Sequence, residues 1–293
     1  MLILLSDAFD AGLAEKLARF GDVTDDKSRA PEADIVLIRS KTTCDKEYID
    51  KAKNLKMIIR GGVGLDNVDR EYAKQKGIQV FNTARASSIA VAELAFALMM
   101  AVPNRIVPGH VSMSQGHWAK KELKRTELFG KTLGLIGVGL IGSVMAKRAQ
   151  AFGMKVIAYD KYIDSHPDVE LKGTLDDLLA QADYISLHTP LTDETKGMIN
   201  KNTIAKMKDG AVLINTGRGK CIVREDVAEA LHAGKLGGYA TDVWYSDPPD
   251  KNEPICSAPN VIMTPHIGAS TTENLLRIGD IAEELIEKFV NEK

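Results

Sequence analysis

Short apolar runs alternate with amphipathic stretches along most of the chain, and this pattern predicts β-strands joined by α-helices. Several runs consist almost wholly of branched aliphatic residues. Such continuous apolar strands, alternating with helices, are typical of parallel sheets covered on both faces. We therefore predict an α/β fold with strands at 2–5, 35–38, 57–59, 132–136, 155–159, 184–187, 211–215, 238–240 and 261–263.

The helices are predicted from apolar positions that recur every three or four residues. Ser87 and Ser88 are placed to cap the longest internal helix, which Pro103 and Pro108 should end. The polar, basic segment 104–131 is predicted either to pack on another subunit or to form a solvated loop and helix. Helical spacing covers 11–20, 48–52, 89–100, 142–152 and 272–290, the last with an apolar face of Leu275, Leu276, Ile278, Ile281, Leu285, Ile286 and Phe289.

Length and composition narrow the function classes. The 293 residues favour two packed domains, and a formal net charge of −2 gives no sign of a nucleic-acid or membrane partner. No uninterrupted apolar run approaches the ~18 residues of a membrane span. Cys44, Cys221 and Cys256 lie far apart, which indicates packing thiols, a reducing compartment and, by default, the cytoplasm. His110 and His117 have no second metal ligand at sensible spacing, and no metal is expected.

A GxGxxG motif stands between a predicted strand and a predicted helix. Gly137 suits the tight turn, Gly139 the approach of the backbone to a pyrophosphate, and Gly142 close helix–strand packing. Leu140 and Ile141 complete the motif, and the helix that follows offers free N–H groups to phosphates. The motif predicts a dinucleotide site.

Asp160 ends the next predicted strand, where an acidic residue can accept hydrogen bonds from both hydroxyls of the adenosine ribose. A carboxylate there repels a 2′-phosphate, so the predicted cofactor is NAD rather than NADP. Lys161 is expected to soften this discrimination slightly. The plain alternative is that Asp160 is a turn residue at a strand end.

Four motifs, GxGxxG, NxGRG, DVxxxxP and PHIGAS, occur in this order, and with them the whole chain resembles the D-isomer-specific 2-hydroxyacid dehydrogenases. The resemblance implies a Rossmann NAD-binding domain inserted in a flavodoxin-like substrate domain, both with parallel sheets, and a homodimer with its chemistry in the cleft between domains. On this basis residues 1–86 begin the substrate domain, residues 87–269 form the NAD-binding domain, and residues 270–293 return to the substrate domain.

Three side chains of the second half can carry the reaction. The substrate hydroxyl must lose a proton as hydride leaves the same carbon, and His266 suits the role of base. Asp247 can bond the other ring nitrogen, and Arg218 can hold the substrate carboxylate or polarise its carbonyl oxygen. By resemblance, Asp242 orients the nicotinamide carboxamide, and other cofactor contacts come from Thr189, Pro190, Thr216, Gly217, His266 and Gly268.

Asp247 departs from the family pattern, which usually has glutamate at this position. Because aspartate is shorter by one methylene, we expect its bond to His266 to be longer or bridged by water. Glu253 is another acidic residue nearby, but its spacing does not match the motif. The structural alternatives are a buried Arg218, a turn-forming Asp247 and a surface His266.

Within the family, the likeness is closest to the D-3-phosphoglycerate dehydrogenase subfamily, in segments 36–40, 59–69, 116–118 and 130–134. In that subfamily, arginines at the positions of Arg39 and Arg60 recognise phosphate, since a dianion in a cleft needs paired charge. The alternative is that both arginines only pair with acidic neighbours such as Asp66 or Asp69.

The backbone N–H groups of Gly61, Gly62 and Val63 are expected to grip a carboxylate, because glycine-rich turns form anion nests. The predicted function is therefore NAD-dependent oxidation of D-3-phosphoglycerate to 3-phosphohydroxypyruvate in serine biosynthesis. A glyoxylate or hydroxypyruvate reductase is the nearest alternative, and a non-catalytic NAD-sensing interaction protein is an alternative of another class. The serine-sensing regulatory domain of longer relatives is not expected after Lys293.

Overall fold

The computed structural model describes residues 1–292 and divides into two compact units. The first consists of Met1–Ala90 and the chain from Ala269 onward, and the second of Val91–Gly268. Each unit contains one sheet in which every strand pair is parallel, so the predicted α/β fold is confirmed. Lys293 lies outside the described residues. The functional assignment of the predicted domains stays a prediction.

The first unit has a five-stranded sheet formed by β1 (Leu2–Leu5), β2 (Asp22–Thr24), β3 (Ile35–Ile38), β4 (Met57–Arg60) and β5 (Gln79–Asn82). Their order across the sheet is β2-β1-β3-β4-β5. The three central strands are the predicted apolar runs. The two edge strands were not predicted, because they are short and only partly buried and so lack a continuous apolar run.

The second unit has a seven-stranded sheet formed by β6 (Thr132–Ile136), β7 (Lys155–Tyr159), β8 (Glu170–Leu171), β9 (Tyr184–Leu187), β10 (Ala211–Asn215), β11 (Leu236–Thr241) and β12 (Val261–Met263). Their order is β12-β11-β10-β9-β6-β7-β8. The strand order reverses at β6, so the crevice beside its carboxyl end is where an open parallel sheet binds its ligand.

Eleven α-helices are described: α1 (Leu13–Leu17), α2 (Lys46–Lys51), α3 (Arg70–Gln75), α4 (Ala84–Ala101), α5 (Ile106–Ser114), α6 (Leu140–Ala151), α7 (Leu175–Gln181), α8 (Lys201–Ala205), α9 (Arg224–His232), α10 (Pro254–Ser257) and α11 (Thr272–Asn291). On α11, Ile278, Ala282, Ile286 and Phe289 pack in the core of the first unit, whereas the predicted core residue Leu276 is 48% exposed.

Helix α4 begins earlier than predicted. Ser87 and Ser88 lie inside it rather than at its cap, because the chain turns directly from β5 and the Asn82 side chain accepts a bond from the Ala84 N–H at 3.4 Å. Pro108 does not end α4 but lies in the first turn of α5, where its missing N–H costs nothing. By its length and composition α4 could cross a membrane, which was not predicted from the sequence. More than half of this helix is buried inside the protein.

Both sheets have an apolar core on each face. Cys44 and Cys221 are buried in these cores, as predicted for packing thiols, and burial raises the pKa of the Cys44 thiol to about 12. Cys256 is exposed, so the packing prediction is wrong for this residue.

Candidate active site

The GxGxxG turn joins β6 to α6, and the structure separates the roles of its glycines. A Cβ at Gly137, whose φ is 88°, would lie 2.8 Å from the His188 carbonyl oxygen, and one at Gly142 would lie 2.4 Å from the Gly137 carbonyl oxygen. A Cβ at Gly139 would meet no atom within 4 Å. Packing thus requires glycine at positions 137 and 142, whereas Gly139 leaves open space at the N-terminus of α6. Leu140 is the first residue of this helix, and Ile141 packs partly against the core.

Asp160 follows β7 and is tied to the glycine turn. Its carboxylate accepts bonds from the Val138 N–H and the Tyr162 N–H, both at 3.0 Å. Each oxygen retains a second lone pair that can accept a ribose hydroxyl. Lys161 is hydrogen-bonded to Glu194, which raises the pKa of Lys161 and compensates its charge there. The expected softening of the NAD preference by Lys161 therefore has no support in the structure.

Two threonine hydroxyls stand at neighbouring strand ends beside this turn. The Oγ1 atoms of Thr189, after β9, and Thr216, after β10, are buried and have no hydrogen-bond partner among residues 1–292. The two loops abut, since a Cβ at Gly217 would lie 3.2 Å from the Thr189 carbonyl oxygen. Pro190 follows, with its carbonyl accepting a 2.6 Å bond from Thr195. Orphaned hydroxyls next to an open glycine turn fit a ligand rich in hydroxyl and phosphate groups.

His188 packs against the glycine turn. Its carbonyl faces Gly137, and its Nε2 is 3.0 Å from the Ser186 hydroxyl, while Nδ1 is buried without a partner among the described residues. Burial lowers the pKa of His188 to about 4. The ring is therefore neutral at physiological pH.

His266 lies in the turn after β12 with a φ of 54°, the left-handed region that non-glycine residues rarely adopt. Buried Asp242 holds this turn on both sides of the histidine. Its Oδ1 accepts from the Thr264 hydroxyl at 2.6 Å and the Ile267 N–H at 2.8 Å, and its Oδ2 accepts from the Gly268 N–H at 2.7 Å. The predicted nicotinamide contact of Asp242 stays a prediction, since one acceptor position of Oδ2 remains.

Asp247 reaches His266 directly. Its Oδ2 is hydrogen-bonded to Nδ1 of the imidazole, so the expectation of a longer or water-bridged bond is wrong. The reason is that the backbone around residue 247 comes close enough to make up for the shorter side chain. The two side chains are 50% and 43% exposed. Neither is an isolated surface or turn residue.

Arg218 lies in a turn shaped by Asn215 at the end of β10. The Asn215 side chain accepts from the Gly217 N–H at 3.1 Å and donates to the Arg218 carbonyl at 3.0 Å. The guanidinium donates to the Gly217 carbonyl at 2.8 Å. Arg218 is half-buried, which does not fit the alternative of a fully buried structural arginine.

In the first unit, Arg39 and Arg60 flank one glycine turn. The Arg60 guanidinium lies against Gly62, where a Cβ would be 1.5 Å from Nη1, and the Arg39 side chain lies 3.3 Å from the Cβ position of Gly61. The predicted nest is only partly available, because the Gly61 N–H donates to the Ile38 carbonyl and the Gly62 N–H to the Thr83 hydroxyl, both at 2.8 Å. Of the three predicted N–H groups, Val63 alone has no acceptor within the described chain.

The sequence comparisons point to one family. A model of the D-isomer specific 2-hydroxyacid dehydrogenase NAD binding domain matches residues 96–268. A hydroxypyruvate reductase of Thermotoga maritima is 48% identical over 267 residues, which are 89% of this chain and 85% of that protein. A D-3-phosphoglycerate dehydrogenase of Methanocaldococcus jannaschii is 45% identical over 263 residues, 88% of this chain and 50% of that protein.

The fold comparison is equally clear. A D-lactate dehydrogenase of Aquifex aeolicus, solved with NAD and lactic acid, superposes with a TM-score of 0.88 at 31% identity and covers 100% of this chain and 96% of that one. This chain belongs to the D-isomer-specific 2-hydroxyacid dehydrogenases. Its cofactor is NAD, which the open turn at Gly139 and the hydroxyls of Thr189 and Thr216 fit. The chain spans about half the length of the curated D-3-phosphoglycerate dehydrogenases that it matches.

Sequence reasoning missed several residues that hold the predicted site residues in place within each unit. Asp7, directly after β1, accepts from the Arg39 N–H at 2.6 Å and the Thr42 hydroxyl at 2.8 Å. The Asn67 amide donates to the Arg39 carbonyl at 2.8 Å, and the Thr264 hydroxyl donates to the Asp242 carboxylate at 2.6 Å. Asp7 was detectable, because it is the first acidic residue after a buried parallel strand, where ligand-binding loops lie.

Proposed function

We propose that the protein interconverts D-3-phosphoglycerate and 3-phosphohydroxypyruvate with NAD. The observation that carries this proposal is the charge beside the glycine turn of the first unit. Arg39 has no ion-pair partner among residues 1–292, and its guanidinium donates only to the carbonyls of Ala8 and Ala269, at 3.3 and 3.5 Å. Asp69, one of the suggested partners, instead caps α3 by accepting from the Tyr72 N–H.

A partly buried guanidinium that makes no ion pair within the described chain favours an anion. Burial lowers the pKa of Arg39, and the charge of Asp7 offsets this only in part. A phosphate dianion would relieve the desolvation of Arg39 and engage Arg60 beside the same turn. These two arginines would therefore select a phosphorylated acid.

The second unit supplies groups suited to the chemical step. When bound, NAD accepts hydride from the carbon that carries the hydroxyl. Because Nδ1 of His266 is bonded to Asp247, Nε2 is the ring nitrogen available to take the hydroxyl proton. Asp247 keeps the ring oriented and stabilises the imidazolium, while Arg218 holds the substrate carboxylate. The hydroxyl proton thus moves to Nε2 of His266 while the hydride leaves the carbon that carries the hydroxyl.

The test compares NADH oxidation with 3-phosphohydroxypyruvate, hydroxypyruvate and glyoxylate. Arg39→Met removes charge-assisted bonds of about 1.5–3 kcal/mol, so kcat/KM for the phosphorylated acid should fall about 10- to 150-fold. The unphosphorylated acids should change less than twofold. Arg29→Met is the matched control, since Arg29 pairs with Asp22 and Glu32 on the surface. Equal losses for all three acids would contradict the phosphate role.

A second candidate is reduction of hydroxypyruvate or glyoxylate by the same groups. It is favoured by the similarity to the Thermotoga maritima hydroxypyruvate reductase over most of both chains. Faster turnover of the unphosphorylated acids by the unmodified protein would select this candidate. The case for a non-catalytic NAD sensor rested on the shortened side chain of Asp247, and the direct bond to His266 removes it.

We also propose that the protein is a cytoplasmic homodimer that pairs through α5 and the residues after it. This segment exposes Ile106, Val107, Val111, Met113 and Trp118, an unusual density of large apolar side chains. Light scattering should give twice the 31.9 kDa chain mass, and Val111→Glu should shift it toward one chain mass. A single chain mass for the unmodified protein would refute the dimer.

A further inference from the structure

The Asp247–His266 pair is half exposed, so its geometry does not come from a surrounding core. Asp247 lies between β11 and α10, in a segment without regular secondary structure. An aspartate reaches less far than a glutamate, so a small backbone shift there breaks the contact. The position of the segment around residue 247 must therefore be fixed by other contacts.

One anchor is Trp244. A Cβ at Gly219 would lie 2.1 Å from the Trp244 carbonyl oxygen, which means that the two backbones touch. The Trp244 indole N–H donates to the Thr264 carbonyl at 3.1 Å. Trp244 thus joins the segment of Asp247 to the turn of Arg218 and to the turn of His266.

The second anchor is Arg224 at the start of α9. Its guanidinium lies 4.6 Å from the ring centre of Tyr245, whose hydroxyl donates to the Ile222 carbonyl at 2.5 Å. Its Nη1 donates at 2.8 Å to Glu253, whose side chain is only 2% exposed. Arg224 therefore contacts both ends of segment 245–253, within which Asp247 lies.

The charges around Arg224 make this contact firm. Glu225 and Glu253 accept hydrogen bonds from the guanidinium and raise the pKa of Arg224, and Asp250 lies 3.6 Å from Nη1. A guanidinium that is stacked on a ring and bonded to a buried carboxylate has little freedom to move. Loss of this side chain would also leave the buried Glu253 carboxylate without its cation.

We infer that Arg224 is a positioning residue for catalysis, which holds both ends of segment 245–253 so that Asp247 contacts His266. The inference rests on the proposed acid/base role of the pair. It assigns to Glu253 the role of the buried partner of Arg224, rather than that of a substitute for Asp247. It also explains how an aspartate suffices at a position where glutamate is usual in the family.

The test is a double-mutant cycle of Arg224→Met and Asp247→Asn, measured as kcat for NADH oxidation with the 2-oxo acid that the protein turns over fastest. Arg224→Met should lower kcat at least tenfold in the unmodified protein and less than twofold in the Asp247→Asn background, because the contact to be positioned is then gone. The KM for the 2-oxo acid and the dissociation constant of NADH should stay within twofold. Arg224→Lys should restore part of kcat.

Lys206→Met, which breaks an exposed pair with Asp176, is the matched control and should leave kcat unchanged. If Arg224→Met does not fold, Tyr245→Phe removes the bond to Ile222 and should show the same background dependence at smaller amplitude. An equal factor in both backgrounds, or no effect in the unmodified protein, would overturn the inference. If Asp247→Asn alone leaves kcat unchanged, the proposed acid/base role fails as well, which separates the two failures.

Discussion

Replacing Asp242 by asparagine should destabilise the second unit and displace the catalytic turn. The carboxylate accepts three hydrogen bonds within the turn that contains His266, two through Oδ1 and one through Oδ2. An asparagine oxygen can keep the bonds of Oδ1. Its NH₂ group then faces the Gly268 N–H, so two donors meet at a buried position.

The magnitude follows from these contacts. The lost charge-assisted bond to the Gly268 N–H contributes about 1.5–3 kcal/mol, and a buried donor without an acceptor costs about 1–3 kcal/mol. Partial relaxation of the turn makes about 3 kcal/mol a reasonable total. For a unit of this size, each kcal/mol lowers Tm by about 2–4 °C, so Tm should fall by about 6–12 °C. The left-handed φ of His266 costs about 1–3 kcal/mol to maintain, so kcat should fall as well.

The assay is thermal unfolding without cofactor, followed by steady-state NADH oxidation. Thr264→Val removes one charge-assisted hydroxyl bond to Asp242, which contributes about 1.5–3 kcal/mol, but it leaves no buried donor without an acceptor, so it should lower Tm less than Asp242→Asn does. Asp164→Asn, at an exposed residue with no described contact, is the control. If Asp242→Asn unfolds within about 1 °C of the unmodified protein, the reasoning on charge-assisted bonds in this turn is refuted.

Three further predictions concern the cofactor turn. Gly142→Ala should destabilise the fold, because its Cβ would lie 2.4 Å from the Gly137 carbonyl oxygen, whereas Gly139→Ala should have the Tm of the unmodified protein but bind NADH at least tenfold more weakly. Unfolding curves and NADH titrations distinguish the two variants. Asp160→Ser should lower the ratio of kcat/KM for NAD over NADP by at least tenfold, since the repulsion of a 2′-phosphate is removed, as assays with both cofactors would show. Because the unfolded chain binds a proton at His188 that the buried ring does not, the free energy of unfolding should fall by roughly 3 kcal/mol as pH drops from about 6.5 to about 4, with the full contribution present above pH 6.5. A His188→Gln variant should lack this pH dependence in urea titrations.

The strands that could be predicted from the sequence were those with continuous branched apolar residues, such as β3 and β10. The two-residue β8 and the partly buried β5 were not predicted, because an edge strand is stabilised by pairing with its neighbour and need not carry an apolar pattern of its own. The start of α4 was misplaced for a similar reason. Ser87 is a residue type that often caps helices, but the turn after Asn82 decides where the helix begins.

The convergence of Arg218, Asp247 and His266 in one unit could be predicted, because the carboxyl ends of parallel strands share an edge. Their connections could not. Whether an aspartate reaches His266 depends on the path of an irregular segment, and which N–H groups stay available at Gly61 and Gly62 depends on acceptors far apart in sequence. Motifs identify the chemical groups, whereas tertiary contacts decide which lone pairs and protons remain for the substrate.

The measurement that tests the central claim most directly is NADH oxidation by His266→Gln beside the unmodified protein, with NADH affinity measured on the same samples. If His266 transfers the proton, kcat should fall by about 10²–10⁴, the range for a general acid or base. The dissociation constant of NADH should stay within twofold, because the glycine turn and Asp160 are untouched. A variant that keeps kcat within threefold of the unmodified protein would contradict the assignment of His266 as the acid/base group.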